Sequence, residues 1–291
     1  MKKAYVFPGQ GAQFEGMGKD LYEQSPEIRW VFDSADELLG FGLSKIMFEG
    51  SAEDLRQTRV TQPAMFVYAY AKAQTLGATF RPAATAGHSL GEFTALAAAG
   101  AVSFEDALKL VSIRSSAMQY ACEKHPGTMA AILGMEDALV EEVCAGIDEV
   151  VVPANYNSPG QLVISGSLAG IEKAVAALQA AGAKRAIVLQ VGGAFHSPLM
   201  EAGRQELASA IEVVPFVRPS CPVYQNVDGL PYTDPDAIRR NLVAQLTAPV
   251  RWTQTVQHML ADGIEGFVEL GGSVLSGMIK KIDRAAPVEQ V

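Results

Sequence analysis

The stretch ATAGHSLGEF (84–93) places a short, mostly apolar segment directly before a serine that two glycines flank. The apolar segment predicts a strand and the residues after the serine predict a helix, which is the repeating unit of a parallel α/β sheet. Gly87-x-Ser89-x-Gly91 is the pattern of a nucleophile elbow, in which glycines allow a tight backbone. The unpaired N–H of Leu90 would then face a developing oxyanion. A plain turn with Ser89 as N-cap is the alternative.

The composition narrows the class of protein around this motif. The chain has 291 residues, of which 49% are hydrophobic and 19% charged, as in globular enzymes. That length has room for one large α/β domain with a smaller insert. The net charge of −9 argues against a nucleic-acid or anionic-membrane binder. Three cysteines without CxxC spacing argue against a disulfide framework or a zinc site and favour a reducing cytoplasm.

The N-terminal stretch MKKAYVFPGQGAQ (1–13) predicts a first strand rather than a signal peptide, because it has no apolar core or cleavage site. No segment approaches the ~20 apolar residues that a bilayer crossing needs. We therefore expect a cytoplasmic protein with no membrane association.

The middle of the chain has a different order of elements from its flanks. Its periodicity predicts βαββαβ, the ferredoxin-like unit, bounded by predicted linkers at 123–127 and 192–198. The strands are predicted at 128–135, 150–157, 161–166 and 184–191, and the helices at 136–147 and 168–182. The predicted fold is therefore α/β, with a large parallel-sheet domain of 1–124 and 193–291 and an inserted small subdomain of 125–192.

The large domain has further predicted elements. Pro63 is expected near the first turn of its first long helix, because proline is tolerated there. Strands are predicted at 4–7 and 266–270, and helices at 62–77, 104–121, 199–214, 234–247 and 251–262.

A catalytic serine needs a base, and the chain has only four histidines. His88 precedes the serine and is interpreted as supporting structure, while His125 lies in a linker. His258 falls on the polar side of a predicted helix and is interpreted as an exposed surface residue. His196 lies in GGAFHSP (192–198), where the insert rejoins the large domain, and clefts between domains are favoured sites. It is the candidate base, with a loop histidine of no role as the alternative.

Arg114 is the second unusual residue, because it lies in the middle of the apolar face of helix 104–121. A guanidinium cannot be left unpaired in a core. Either its long stem carries the charge out to water, or it reaches a buried anion such as a substrate carboxylate.

The loop FPGQGAQFEGMG (7–18) follows a strand and is rich in glycine. Phe14 stands where a dinucleotide fingerprint has glycine, and no GK[ST] follows, so the loop argues against a nucleotide cofactor. It could instead supply a second backbone N–H for an oxyanion hole, or be a structural turn.

Together these motifs resemble the malonyl-CoA:acyl-carrier-protein transacylase family of bacterial fatty-acid synthesis. The matching segments run nearly end to end and keep the family's order. The resemblance implies an α/β-hydrolase-like large domain with a ferredoxin-like small one. The segments are FPGQGAQ (7–13), TQPA (61–64), GHSLGE (87–92), Arg114, NSPGQLVISG (157–166), GAFHS (193–197) and QLTAPVRW (245–252).

The resemblance implies a role for each catalytic position. Ser89 would be the nucleophile and His196 its general base. The backbone carbonyl of Gln245 would accept the His196 ring N–H, in place of the usual carboxylate. The backbone N–H groups of Gln10 and Leu90 would form the oxyanion hole.

The resemblance also implies how the substrate is recognised. Arg114 would bind the malonyl carboxylate, which a planar guanidinium can hold bidentately. Gln62 and the Asn155–Asn157 loop would lie near the pocket. Phe195 would crowd an α-methyl group, which favours malonyl over methylmalonyl.

By the same resemblance the enzyme transfers malonyl from malonyl-CoA to the phosphopantetheine thiol of acyl carrier protein. The reaction would proceed through a malonyl-serine intermediate by a ping-pong scheme, without a cofactor, and would supply fatty-acid chain elongation. Because the carrier protein is acidic, we expect local cations to dock it, although solvated surface charge is an equal alternative. The candidates are Lys184, Arg185, Lys280, Lys281 and Arg284.

Two other functions remain open at this point. A serine hydrolase with the same elbow would need an acid between the serine and the histidine, such as Asp228 or Asp234 with His258. A binding module that has lost catalysis is the second alternative, although Ser89 and His196 are both present.

Overall fold

A computed structural model describes residues 1–291 of the chain. The strand before Ser89, β2 (Ala84–Gly87), lies inside a six-stranded sheet. It pairs in parallel with β1 (Lys3–Phe7) on one side and β7 (Val223–Tyr224) on the other, and β8 (Pro231–Tyr232) alone runs antiparallel. The predicted parallel sheet is therefore confirmed. The strand order is β10 (Val288–Gln290), β9 (Gly266–Glu269), β1 (Lys3–Phe7), β2, β7 (Val223–Tyr224) and β8 (Pro231–Tyr232).

The middle of the chain forms a separate four-stranded sheet. All of its pairings are antiparallel, and two helices follow its first and third strands, which gives the predicted ferredoxin-like order βαββαβ. The elements are β3 (Gly127–Leu133), α8 (Asp137–Ala145), β4 (Val151–Ser158), β5 (Gln161–Ser167), α9 (Leu168–Ala180) and β6 (Arg185–Val188), with the sheet order β4-β5-β3-β6.

The remaining helices surround the parallel sheet. None of the helices combines the length and the apolar character needed to cross a bilayer. They are α1 (Lys19–Gln24), α2 (Pro26–Leu39), α3 (Leu43–Glu49), α4 (Ala52–Arg56), α5 (Thr58–Thr75), α6 (Gly91–Ala98), α7 (Phe104–Lys124), α10 (Glu201–Val213), α11 (Pro235–Ala244), α12 (Trp252–Ala261) and α13 (Val274–Ile282), with short 3₁₀ turns at Gly77–Thr79 and Pro198–Met200.

Apolar cores cover both faces of the parallel sheet, as such sheets require. The larger core packs helices α2, α5, α6, α7 and α10 together and includes Phe66 and Phe93. The second core lies under α12 and α13 around the fully buried Trp252 and Phe267. A third core fills the space between the small sheet and its two helices.

Two local predictions about the helices of the large domain are wrong. Helix α5 begins at Thr58, so Pro63 lies inside the helix rather than in its first turn. Proline lacks an N–H, so this helix gives up one backbone hydrogen bond there. His258 is half-buried rather than exposed, because the turn around Gly229 packs against α12 and its carbonyl accepts a 2.9 Å bond from His258 Nδ1.

Candidate active site

The turn from β2 into α6 has the geometry of a nucleophile elbow. Ser89 takes a φ of 53°, a left-handed conformation that few residues other than glycine adopt. A Cβ on Gly87 would lie 1.9 Å from the backbone of Gly91, and one on Gly91 would lie 2.0 Å from the carbonyl oxygen of Phe7. Neither position has space for a side chain. The two glycines are therefore required by the close approach of helix and strand, as the motif predicts.

His196 lies directly across from the serine. The Ser89 Oγ is 2.7 Å from His196 Nε2. On the other side of the ring, Nδ1 lies 2.9 Å from the carbonyl oxygen of Gln245 and 3.2 Å from that of Ala248. Because a carbonyl can only accept, Nδ1 carries the proton and Nε2 is free to take the proton of Ser89.

The environment keeps this imidazole neutral. Burial, and then the nearby positive charge of Arg114, lower the pKa of His196 from 6.5 to about 3. His196 is therefore uncharged at neutral pH and can act as a general base.

Arg114 projects into the same space from α7, and its side chain is only 1% exposed. Its Nη1 donates to Gln62 Oε1 at 2.7 Å, and its Nη2 donates to Ser89 Oγ at 2.9 Å and to Gln245 Oε1 at 3.3 Å. No carboxylate forms a salt bridge with it, and its buried Nε has no hydrogen-bond partner. Burial lowers the pKa of Arg114 to about 10, so the group remains a cation at neutral pH. Of the two interpretations of Arg114, the structure excludes an extended stem that reaches water.

A cavity of about 540 Å³ connects these groups, and its wall combines residues of the small sheet with the loops that follow β1 and β2 and with helices α5 and α7. Ser89, His196 and Arg114 line it from the large sheet's side, while Met129 and Leu189 line it from the small subdomain. The cavity therefore lies where the small sheet meets the loops at the carboxyl ends of β1 and β2. The other predicted residues that line the cavity are Gln10, Gln62, Leu90, Asn155 and Phe195. Gln245 does not line it and makes its contacts behind the wall.

Two backbone amides beside Ser89 have no acceptor. The N–H of Leu90 precedes the first helical hydrogen bond of α6, and neither it nor the N–H of Gln10 donates to any protein group. The two segments are adjacent, because a Cβ on Gly9 would lie 2.6 Å from the carbonyl oxygen of His88. Unpaired amides at a helix start are suited to an anionic oxygen.

Other predicted pocket residues are placed on the cavity wall. Asn155 lies in strand β4, so the expected Asn155–Asn157 loop is wrong. Its Oδ1 is buried without a partner, and its backbone forms an isolated bridge to Val250. Asn157 Oδ1 lies 2.8 Å from His88 Nε2, which holds His88 in a supporting contact. Phe195 is 8% exposed and lines the cavity.

Sequence reasoning missed the polar groups behind the elbow. Asn226 Oδ1 accepts the N–H of Ser89 at 2.7 Å, and Asn226 Nδ2 donates to the carbonyl of Gly87 at 2.7 Å. The fully buried Glu92 in turn accepts the backbone N–H of Asn226 at 2.6 Å. One signal was available, because Gln225 and Asn226 follow an apolar strand at the carboxyl end of a parallel sheet, where sites form.

The residues that a hydrolase-type triad would need lie elsewhere. Asp228 accepts from the Leu230 N–H and the Tyr232 hydroxyl, at 3.0 and 2.5 Å. Asp234 caps helix α11 through the N–H of Ala237. Neither acid bonds to His258 or to His196, so the structure does not support that alternative.

Comparison with known proteins identifies a family whose members match nearly the whole chain. The model of the "acyl transferase domain" family matches residues 4–287. The malonyl CoA-acyl carrier protein transacylase of Bacillus subtilis is 44% identical over 290 residues, which cover 97% of this chain and 91% of that protein. The protein of the same name from Escherichia coli K12 is 44% identical over 285 residues, covering 96% and 92%.

Solved structures agree with these relatives. An acyl carrier protein S-malonyltransferase from Vibrio cholerae has a TM-score of 0.96 and 42% identity, covering 100% of this chain and 97% of that one. A malonyl-transacylase solved in complex with a type II polyketide synthase acyl-carrier protein has a TM-score of 0.96 and 38% identity, covering 100% and 96%. The chain therefore belongs to the acyl transferase domain family, among the malonyl CoA-acyl carrier protein transacylases, and it is an acyltransferase.

Proposed function

We propose that this enzyme transfers the malonyl group from malonyl-CoA to the phosphopantetheine thiol of an acyl carrier protein, by a ping-pong scheme through malonyl-Ser89. The transferred unit would serve chain elongation in fatty-acid synthesis. The observation that carries the proposal is the position of Arg114, a buried cation without an anionic partner that touches the nucleophile. The names of the 44%-identical relatives agree with this substrate and acceptor.

In the first half-reaction, Ser89 Oγ attacks the thioester carbonyl while His196 Nε2 takes the hydroxyl proton, a transfer for which their 2.7 Å contact is suited. The N–H groups of Gln10 and Leu90 stabilise the resulting oxyanion, each worth about 10²–10³ in rate. The C–S bond then breaks, and the proton on Nε2 goes to the leaving thiolate of coenzyme A. The acyl group stays on Ser89 as an ester.

In the second half-reaction the acceptor thiol occupies the place of coenzyme A. His196 removes the thiol proton, the thiolate attacks the ester carbonyl, and Ser89 leaves with the proton returned by His196. The Gln245 carbonyl, 2.9 Å from Nδ1, holds the required tautomer throughout. A carbonyl carries no full charge, so it keeps the ring oriented without stabilising the imidazolium as a carboxylate would. No group outside the chain and the two substrates is needed for this chemistry.

Arg114 accounts for the preference for a dicarboxylic acyl group. A guanidinium forms strong, directional bonds to a carboxylate, and its present partners Gln62, Ser89 and Gln245 are all neutral. A malonyl carboxylate can therefore replace them without breaking an ion pair. Phe195 on the same wall supports selection against a substituent at the α-carbon.

For the carrier protein we propose docking on the cations at one end of the small sheet. Gln161, Leu133 and Arg185 are neighbours in register across β5, β3 and β6. The Lys281 ammonium donates to Gln161 at 3.0 Å, which brings α13 to the same end of the sheet. Lys184 and Arg185 are exposed at this end, and Lys280, Lys281 and Arg284 are exposed on α13 or just after it.

This cluster of cations, which we call the basic end, is connected to the cavity by strand β6. Residues Leu189 to Gly192, which follow β6, line the cavity wall. Leu189 lies four residue steps beyond Arg185 in extended chain, about 13 Å at ~3.3 Å per residue. An acidic carrier protein bound to the basic end would have its thiol arm directed along this short path.

Mass spectrometry of the protein after mixing with malonyl-CoA tests the reaction. The expected result is a malonyl adduct on the Ser89 peptide that disappears when a carrier-protein thiol is added. Ser89→Ala is the matched control and should take no adduct. Rapid release of free malonate without a thiol would instead establish a hydrolase, and the absence of both adduct and release would establish a binding module.

Charge reversal tests the docking surface. Arg185→Glu with Lys281→Glu should raise the KM for carrier protein, because the reversed charges repel an acidic acceptor. Lys45→Glu, an exposed reversal on α3, is the control. An unchanged KM for carrier protein at low salt in the double variant would remove the basic end from the proposal.

A further inference from the structure

A buried carboxyl group lies behind the nucleophile elbow. Glu92, the second residue of α6, is 0% exposed. Its Oε2 accepts the backbone N–H of Asn226 at 2.6 Å, and its Oε1 accepts Gln225 Nε2 at 3.1 Å. A carboxyl group in such a position costs free energy unless its contacts repay the lost hydration. None of the steps proposed above uses it.

The contacts of Glu92 lead directly to the reacting serine. Asn226, which Glu92 holds by its backbone, binds both sides of the elbow: its Oδ1 accepts the Ser89 N–H and its Nδ2 donates to the Gly87 carbonyl. Gln245 completes the set, because its Nε2 donates to the Ser89 carbonyl at 2.9 Å while its own carbonyl accepts from His196. The backbone on both sides of Ser89 is therefore fixed by side chains from this network.

These contacts hold the turn at Ser89 in a strained backbone conformation. Ser89 holds a left-handed φ of 53°, a conformation that costs free energy and persists only when surrounding contacts enforce it. Release of Asn226 would let the elbow relax and would move Oγ away from His196 Nε2. A displacement of about 1 Å at a reacting atom can lower a rate by about 10².

We infer that Glu92 is a positioning residue, which holds Asn226 in place and through it keeps Ser89 in the geometry for attack on the acyl thioester. This role rests on the proposed reaction at Ser89. The ionised carboxylate fits it best, because both of its oxygens face N–H donors. A proton on either oxygen would face one of those donors and weaken its bond.

Burial and the neighbouring groups set the pKa of Glu92 near neutral pH. Burial raises the pKa of Glu92 to about 7, opposed by the bonds from Asn226, Gln225 and Gln245 and by the charge of Arg114 on α7. Neither α5 nor β1, which also pack against α6, contributes a charge that acts on it. The nearby histidines, His88 and His196, both have lowered pKa values because of burial and are neutral here.

The test is the pH profile of Ser89 acylation, measured as kcat/KM for malonyl-CoA from about pH 5 to about pH 8. The wild-type protein should lose activity on acidification through about pH 7 and reach a plateau about tenfold lower. Glu92→Gln, which cannot ionise, should show the lower rate at every pH with no such step. The loss should fall on kcat rather than KM, because Glu92 does not line the cavity.

Glu269→Gln is the matched control. Glu269 is also 0% exposed and accepts two backbone N–H groups, those of Leu275 and Ser276, at the start of α13. Both variants should lower the melting temperature, but Glu269→Gln should keep the wild-type step in the profile. A general loss of stability would therefore not reproduce the result for Glu92.

A wild-type profile that is flat between about pH 5 and pH 8 would overturn the inference, as would an equal step in Glu92→Gln. If Glu92→Gln does not fold, Asn226→Ala provides the second variant and should lower kcat with little change in KM. An Asn226→Ala protein with wild-type kcat would also overturn it. Failure of the proposed function is a separate outcome, because the wild-type protein itself would then take no malonyl group on Ser89.

Discussion

The guanidinium Nη2 of Arg114 donates a 2.9 Å hydrogen bond to the hydroxyl oxygen of Ser89. That hydroxyl is also 2.7 Å from His196 Nε2, so one oxygen atom contacts both the candidate base and the candidate anion-binding group. An acyl group bound to Ser89 must therefore have its first few atoms beside the guanidinium. In the proposed reaction, recognition of the acyl group and reaction with it would therefore occur at one position, and the charge of Arg114 would decide which acyl groups are transferred.

Arg114→Ala should lower kcat/KM for malonyl-CoA by roughly 100-fold, because a charge-assisted bond to a carboxylate contributes about 1.5–3 kcal/mol. Acylation by an uncharged acyl-CoA of similar size should be retained or improved, since it no longer has to bury an unpaired cation. Steady-state kinetics with both substrates measures the change in preference. Arg114→Lys keeps the charge but loses the paired donors of the planar guanidinium, so its preference should lie between those of the wild-type protein and Arg114→Ala. An unchanged preference in Arg114→Ala would contradict the proposed recognition.

Substitution of Gln245 should distinguish the role of its backbone carbonyl from the role of its side chain. The bond to His196 comes from the backbone and survives in Gln245→Ala, whereas the side-chain bonds to Ser89 and Arg114 are lost. We expect a loss of about tenfold in kcat, as for one neutral hydrogen bond and one long bond to a cation. His196→Ala, which removes the base, should cost about 10³ or more. Equal losses in the two variants, measured as rates of malonyl transfer, would show that the side chain rather than the carbonyl orients the ring.

The lowered pKa of His196 predicts a dependence of stability on pH. The folded protein holds His196 neutral down to about pH 3, while the unfolded chain binds a proton below its ordinary pKa of 6.5. The unfolded state therefore binds more protons, and this contribution to stability is complete above pH 6.5 and is lost as the pH falls toward 3. At about 1.4 kcal/mol per pH unit, about 2 kcal/mol should be lost by about pH 5.

Urea unfolding at about pH 8 and about pH 5 measures this effect. In His196→Gln the difference in unfolding free energy between the two pH values should be smaller than in the wild-type protein by that amount. Arg114→Ala offers an independent check, because removal of its charge should raise the pKa of His196, which NMR of the ring follows directly. A ring that titrates near pH 6.5 in the wild-type protein would refute the expectation.

The elements and site residues that the sequence predicts correctly are those set by patterns among residues close together in the chain. The alternation in 125–192 predicts the small sheet because each strand buries one face, and the period of α7 places Arg114 inside because its helical neighbours are apolar. The glycine pair predicts the elbow because no other residue has space there. The contacts that were missed are non-local: Glu92 and Asn226 are 134 residues apart, and strand β10 pairs with β9 at the chain's end. Single-sequence patterns do not report which distant polar groups meet.

The elbow glycines provide the last prediction. Gly91→Ala should abolish activity and destabilise the protein by several kcal/mol, because its Cβ would lie 2.0 Å from the Phe7 carbonyl oxygen and would separate α6 from β1. Gly277→Ala is the matched control, since Gly277 lies in α13 with open space at its Cβ. Alanine there should be neutral or stabilise the helix by about 0.5–1 kcal/mol. Urea midpoints and malonyl-transfer rates of both variants distinguish a steric requirement at the elbow from a general preference for glycine, and a stable, active Gly91→Ala protein would show that helix and strand can separate without loss of the site.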